Sequence, residues 1–272
     1  MLGFLQEEHL TEYAFCNFSQ ARVIAPGKLE RLKERWGTEP ESVLVFLVPY
    51  GLGRQEPGNI SVYARSRDYH LYFQQLFARL EQYFLEQGRT VDFCGYGDNS
   101  PVDEIDLAWR AGLGVRGKNG LLIHSQYGSY VFVGEIFFRE RMPYDHSSLE
   151  QAGVCSGCGA CQRACPTGCL VGQEDALCLS AVSQQKRLSP SEEELLKKHG
   201  VIWGCDLCQT SCPMNLRAKP TPLSFFTEDR VPRLDRQILE ELIATDRFSQ
   251  RAFAWRGEQV CFRNLALQEK NR

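Results

Sequence analysis

Eight cysteines constrain this chain more than any other feature. The run Cys155-Ser-Gly-Cys158-Gly-Ala-Cys161-Gln-Arg-Ala-Cys165-Pro166 has the C-x2-C-x2-C-x3-C-P spacing of bacterial-type iron–sulfur sites. Downstream, Cys205-Asp-Leu-Cys208-Gln-Thr-Ser-Cys212-Pro213 repeats the ending, and Cys178 stands as its displaced leading cysteine. Thiolates in this number and order suit two 4Fe-4S clusters. In paired runs the cysteine before each proline ligates the other cluster. Cys155, Cys158, Cys161 and Cys212 then share one cluster, and Cys178, Cys205, Cys208 and Cys165 the second. Zinc is the main competitor, but its four-cysteine sites use two separated C-x2-C pairs and do not call for a third close cysteine. Disulfides fit worse, since such tight spacing is awkward for their geometry.

Length and charge narrow the rest. A chain of 272 residues suits one large domain or two smaller ones. Its formal net charge of −3 gives no global nucleic-acid signature, so any RNA contact must come from a local basic patch. The N-terminus is acidic and lacks the charged and apolar regions of a signal peptide. No stretch approaches a membrane span. With 12 cysteines and no export signal, a reducing, cytoplasmic setting is expected.

Residues 1 to about 145 read as alternating helices and strands. Ser42 to Pro49 is a continuous apolar run, as expected of a strand buried on both faces. Asp68 to Gln87 has apolar residues at helical spacing and a terminating Gly88, and Asp103 to Arg110 is a second helix. Gly120 to Ile123 and Tyr130 to Val133 are expected to form a hairpin that leads into Glu135 to Phe138. Leu234 to Ile243 is expected to be helical, and Glu192 to Lys198 a solvated helix. Cys16, Cys94, Cys169 and Cys261 read as buried small hydrophobes, although Cys169 competes with Cys178 as a ligand.

Further motifs surround the cysteine runs. Arg110-Ala-Gly-Leu-Gly-Val-Arg-Gly-Lys-Asn-Gly120 and Tyr127-Gly-Ser-Tyr-Val-Phe-Val-Gly-Glu135 precede them. Cys178-Leu-Ser180, Lys186 and Gly204-Cys-Asp-Leu-Cys-Gln209 lie within them, and Trp255-Arg-Gly257 and Arg263-Asn264 follow. In this order the set closely resembles the epoxyqueuosine reductases, cobalamin-dependent iron–sulfur enzymes of tRNA modification. The resemblance runs from about residue 40 to 264 and supports Cys178 over Cys169 as ligand. It implies an α/β (α+β) cobalamin-binding catalytic domain of reductive-dehalogenase type over 1–148. A bacterial-ferredoxin-like module with two 4Fe-4S clusters follows over 149–219, then a short helical segment over 220–272. The chain resembles a short form without the C-terminal helical repeats of longer members.

The resemblance also implies the reaction: reduction of epoxyqueuosine to queuosine at the wobble position of tRNA, with base-off cobalamin fed electrons by the nearer cluster. A tRNA with a GUN anticodon carrying epoxyqueuosine would be the substrate and flavodoxin or ferredoxin the electron donor, and the protein would act as a monomer away from membranes. The family's proton donor falls on Asp98, in Gly97-Asp98-Asn99-Ser100-Pro101, where Asn99 and Ser100 replace a hydroxyl residue and a glycine. Opening an epoxide leaves an alkoxide that must be protonated. A carboxyl group could do this near neutrality if burial raised its pKa. The plainer role of Asp98 is to cap the turn before the next helix. Cobalamin contacts are expected from Ser61, His70, Asp98, Leu122, Val133, Ser180, Gly204 and Asp206. Lys186 and Arg187 are the first choices for phosphate contacts, with a further basic supply at Arg251, Arg256, Arg263, Lys270 and Arg272. Three rival readings are a corrinoid reductase of a small molecule, an electron carrier without catalysis, and an RNA-binding zinc protein.

Overall fold

The computed structural model describes residues 1–53, 55–143, 153–173 and 176–269. By internal packing the chain forms two units, each made of two stretches: Met1–Pro49 with His70–Gly157, and Tyr50–Tyr69 with Cys158–Arg272. The expected boundary at 148/149 lies outside the described residues.

The first unit is built on an antiparallel sheet. Its strands are β1 (Tyr13–Asn17), β2 (Ser42–Pro49), β3 (Phe93–Tyr96) and, after the small pair β4 (Val115–Arg116) and β5 (Leu122–Ile123), β6 (Val131–Phe138). The order across the sheet is β1-β2-β6-β3. All eight residues of β2 are buried, as its unbroken apolar run requires. Alternation sends Val43, Val45 and Leu47 to one face, where Leu29, Leu32 and Trp36 of α2 (Pro26–Trp36) complete a core with Leu107 and Trp109 of α4 (Glu104–Arg110). The opposite face takes α3 (Tyr69–Glu86), whose Phe73 ring lies 6.1 Å from that of Phe46. Glycine allows this close approach. A Cβ added at Gly134 would come within 2.4 Å of Phe46 and 2.7 Å of Phe73, and one at Gly97 within 2.1 Å of Phe73. A short helix, α1 (Leu2–Glu7), sets Phe4 against Tyr83 of α3.

The expected hairpin is not formed. Leu122–Ile123 pairs with Val115–Arg116 upstream, and Val131–Phe138 is one continuous strand bonded to β2 and β3. The larger sheet offers β6 two bonded neighbours, which the two-residue β5 cannot match.

The second unit is made of short helices: α5 (Ala160–Ala164), α6 (Leu179–Ser183), α7 (Pro190–His199), α8 (Leu207–Thr210), α9 (Arg236–Ala244) and α10 (Glu258–Glu269). The Glu192–Lys198 tract falls in α7. Ser189 caps it through a reciprocal pair of bonds with Glu192, and left-handed Gly200 (φ +62°) ends it. Ile60 and Ala64, from the stretch that leaves β2, enter a core with Ile202, Trp203, Leu239, Phe253 and Val260. Among the described residues, no helix is long and apolar enough to cross a membrane.

Candidate functional site

In the second unit, Cys161 sits on α5 and Cys208 on α8, and these two helices pack against each other. Gly159 starts α5 with φ +71°, a left-handed turn that a side chain would strain, so chain reversal between Cys158 and Cys161 depends on it. Cys165 and Cys212 both have extended backbone at the point where proline takes over.

The thiols show which cysteines lie close together. Burial pushes Cys205 up to about 11, against a bond from the Leu207 amide, and the charges of Cys178, Asp206 and Cys165 add to the rise. Cys205 therefore has both Cys178 and Cys165 within electrostatic reach, three of the four ligands expected for the second cluster. Cys165 and Cys169 approach to 3.5 Å between sulfurs. Burial raises Cys165, but bonds from the Thr167 hydroxyl, the Thr167 and Leu170 amides and Cys169 bring it down to about 7. Cys155 belongs by packing to the first unit, where its amide donates to the Arg116 carbonyl at 3.1 Å. Among the described residues no three His, Cys, Asp or Glu side chains close round one point as a single metal ion would require. Each ligand of a four-iron cluster binds its own iron, so its thiolates stand further apart than those round one ion. Cys16 and Cys261 are buried as expected, and burial pushes each thiol up to about 12. Cys94 and Cys169 are only half-buried.

Three of the residues expected at cobalamin, Ser61, Gly204 and Asp206, share one cavity of 260 Å³ with Cys205. Ser61 donates its hydroxyl to Asp206, whose other oxygen accepts from the Val62 amide at 2.8 Å. Burial raises the Asp206 carboxyl against the pull of Ser61, the Val62 amide and Arg65. Gly204 has φ +71°, and a Cβ there would come within 2.4 Å of Ser61. Asn59, which also lines the cavity, is committed to Leu234, donating to its carbonyl at 2.7 Å and accepting from its amide at 2.8 Å. Ser180 does not line this cavity; its hydroxyl accepts from Gln184 at 3.3 Å.

The first unit brings His70 and Asp98 together, Nε2 to Oδ2 at 3.7 Å, both half-exposed. Asp98 lies on the loop between β3 and α4, and its Oδ1 accepts the Asn99 amide at 2.6 Å. Asn99 has φ +59°, a left-handed conformation that asparagine tolerates and most residues do not. Asp103 caps α4 by accepting the Asp106 amide at 2.9 Å, while the Asp98 side chain bonds within the preceding turn, the local role also considered for it. Leu122 and Val133 are buried in the core beside α2 and α4.

Two acids near this loop were not foreseen from the sequence. Glu135, in the middle of β6, is 1 % exposed. Ser100, two residues after Asp98, donates its hydroxyl to Glu135, and the other Glu135 oxygen has no partner among the described residues. Burial pushes Glu135 up to about 8, less the pull of Ser100 and with a further push from Glu104. Burial and the Asp98 charge take Glu104 up to about 7. The signal for Glu135 was available: it is the lone acid in the apolar strand Val-Phe-Val-Gly-Glu-Ile-Phe-Phe.

Lys186 and Arg187 are exposed in the loop between α6 and α7. The rest of the expected basic supply is largely committed. Arg251 is fully buried and holds Asp229 at 2.7 Å, Arg263 donates to the Gln185 carbonyl at 2.6 Å, and Arg256 stacks on Trp255 at 3.8 Å. Lys270 and Arg272 lie outside the described residues.

Residues 154–215 match the 4Fe-4S double cluster binding domain, and residues 32–98 match the family described as Epoxyqueuosine reductase QueG, DUF1730. The epoxyqueuosine reductase of Listeria monocytogenes is 32% identical over 160 residues, which are 54% of this chain and 41% of that protein. The chain thus spans less than half the length of this curated relative. The solved epoxyqueuosine reductase of Streptococcus thermophilus is 25% identical at a TM-score of 0.73, covering 99% of this chain and 80% of that one. An epoxyqueuosine reductase solved with a tRNA-Tyr epoxyqueuosine-modified stem loop shares the fold at a TM-score of 0.73 and 23% identity, over 98% of this chain and 80% of that one. The mixed α/β fold, the double-cluster domain and the match over residues 32–98 all make the chain similar to the epoxyqueuosine reductases.

Proposed function

We propose that the protein reduces epoxyqueuosine to queuosine at the wobble position of tRNA, with cobalamin and electrons relayed through two 4Fe-4S clusters. The observation that carries this reading is the union, in one chain, of a double-cluster domain with a carboxylate on an accessible loop. The relative solved with a modified tRNA stem loop supports the choice of substrate. The functional division is proposed as 1–148, 149–219 and 220–272, with the protein cytoplasmic, monomeric and supplied by a flavodoxin or ferredoxin.

Bound cobalamin would supply the low-potential reduction of the epoxide carbon. Ser61, Gly204 and Asp206 would hold it from the second unit, where Cys205 lines the same cavity, and Ser180 is included in the proposed set. His70, Leu122, Val133 and Asp98 are the further contacts that the resemblance implies. Asp98 would deliver the proton that the opening epoxide oxygen needs. His70, 3.7 Å away, would orient its carboxyl group and pass on a replacement proton. Clusters on Cys155, Cys158, Cys161 and Cys212, and on Cys178, Cys205, Cys208 and Cys165, would move electrons one at a time. Lys186 and Arg187 would contact phosphate.

The test is anaerobic reconstitution with iron, sulfide and cobalamin, then a single turnover of tRNA carrying epoxyqueuosine. Queuosine is expected from the wild type, and Asp98→Asn is expected to lower its rate by at least about a hundredfold, the usual worth of a positioned acid. Full cofactor loading without turnover would move the search to a small-molecule substrate. A protein that takes up clusters but no cobalamin would be an electron carrier.

A further inference from the structure

The first unit has a recess of its own, and of its lining the roles above use only Asp98. Lys28, Arg31 and Arg35 lie three and four residues apart on α2 and so share one helix face. With Tyr96, Asp98 and Asn99 they line a cavity of 360 Å³. Its lining thus sets three cations against a single carboxylate, on a chain whose net charge is −3.

The cations differ in what they already hold. Lys33, elsewhere on the helix, is paired with Glu30 and Glu39 at 3.0 and 3.1 Å. Arg31 and Arg35 are exposed, and neither has a carboxylate partner among the described residues. Lys28 is bound to the Asn99 carbonyl at 2.6 Å and to its side chain, and so fastens the Asp98 loop to this wall. Arg31 lies near enough to Tyr96 to oppose, in small part, the rise that burial and Cys94 impose on the phenol. Free guanidinium groups offer planar, bidentate forks matched to phosphate. Four residues of helix rise about 6 Å, so Arg31 and Arg35 address different phosphates and not one. An aromatic ring beside such cations suits a nucleobase or ribose.

We propose that this groove holds the ribose-phosphate backbone of the RNA strand whose modified base reacts at Asp98, with Arg31 and Arg35 on neighbouring phosphates and Tyr96 against the adjoining nucleoside. The proposal rests on the functional reading above. Asp98 selects RNA over an acidic electron-donor protein: an occupant of this groove touches the wall that bears the reacting carboxyl group, which a donor feeding the clusters has no need to reach.

Fluorescence anisotropy of a labelled anticodon stem-loop RNA, titrated with the anaerobically reconstituted full chain at several salt concentrations, tests this. Arg31→Gln with Arg35→Gln is expected to weaken binding roughly tenfold and to reduce the slope of log affinity against log salt by about 1.4, two single-strand phosphate contacts. Each single variant is expected to give about half that change in slope, which keeps the test decidable if the double variant misfolds. Lys33→Gln, on the same helix but already paired, should change neither quantity. Wild-type affinity and slope in the arginine variants would overturn the groove while leaving the tRNA reading intact. A wild type that binds no RNA would overturn both. Intact RNA binding with lost reduction by flavodoxin would assign the groove to an acidic protein and overturn the proposal.

Discussion

At the scale of the residue, Glu135 controls the most. It stands in a strand of apolar side chains, opposite Val45 on one side and Tyr96 on the other, and among the described residues its side chain bonds to Ser100 alone. Burial penalises the charged form of a carboxyl group so placed and favours the protonated one. Its folded value of about 8 lies above the ordinary 4.5, so the native state holds a proton that the unfolded chain has released. The stability linked to this proton is fully present below about pH 4.5 and is lost as pH rises through about 8. Thermal melting followed across that window should show the wild type losing stability with pH, and Glu135→Gln losing less of it. Equal pH dependence in the two proteins would mean that Glu135 is not held protonated. The lone acid in an apolar strand was visible in the sequence, but its partners were not. Ser100 is 35 residues away and Glu104 is 31, and only folding brings them beside it.

Among the elements, those with a long periodic signal were legible and the short ones were not. The apolar runs of β2 and α3 declared themselves, because eight and eighteen residues give period and length enough to separate strand from helix. β5 has two residues, too few for any period, and so its partner was misjudged. The basic face of α2 also went unremarked: Lys28, Arg31 and Arg35 share a helix with Glu30 and Glu34, and only the fold shows which charges face the Asp98 loop. The close seating of α3 depends on residues with no side chain. A methyl group at Gly134 has no room between Phe46 and Phe73, both held in the sheet–helix interface. Gly134→Ala is therefore expected to cost about 1–3 kcal/mol, read from chemical denaturation, as overpacking of a filled core generally does. A neutral result would show that α3 can lift off the sheet at little cost.

For the molecule as a whole, the cluster module was the most legible part, because metal ligation fixes both residue type and spacing. What spacing left open was the choice between Cys178 and Cys169. The fold brings both to the same place: the charges of Cys178 and Cys165 act on Cys205, and Cys169 lies 3.5 Å from the Cys165 sulfur and is itself raised by the charges of Cys165 and Cys178, so the preference for Cys178 rests on the resemblance. Cys178→Ala is expected to lose about half of the bound iron, one four-iron cluster of two, and Cys169→Ala to keep it. Iron and sulfide analysis after anaerobic purification decides this, and the opposite pattern would make Cys169 the ligand.

The route of the chain between its two units also bears on how the protein comes into being. The stretch 50–69 emerges from the ribosome directly after β2, yet its Ile60 and Ala64 belong to a core completed by Val260 and Leu265 of α10. The first unit likewise waits for β6 to enter between β2 and β3. Neither unit can close in order of synthesis. For some 200 residues the early loop must remain an unsatisfied apolar segment. Nascent chains therefore depend on shielding of this segment until α10 has been made.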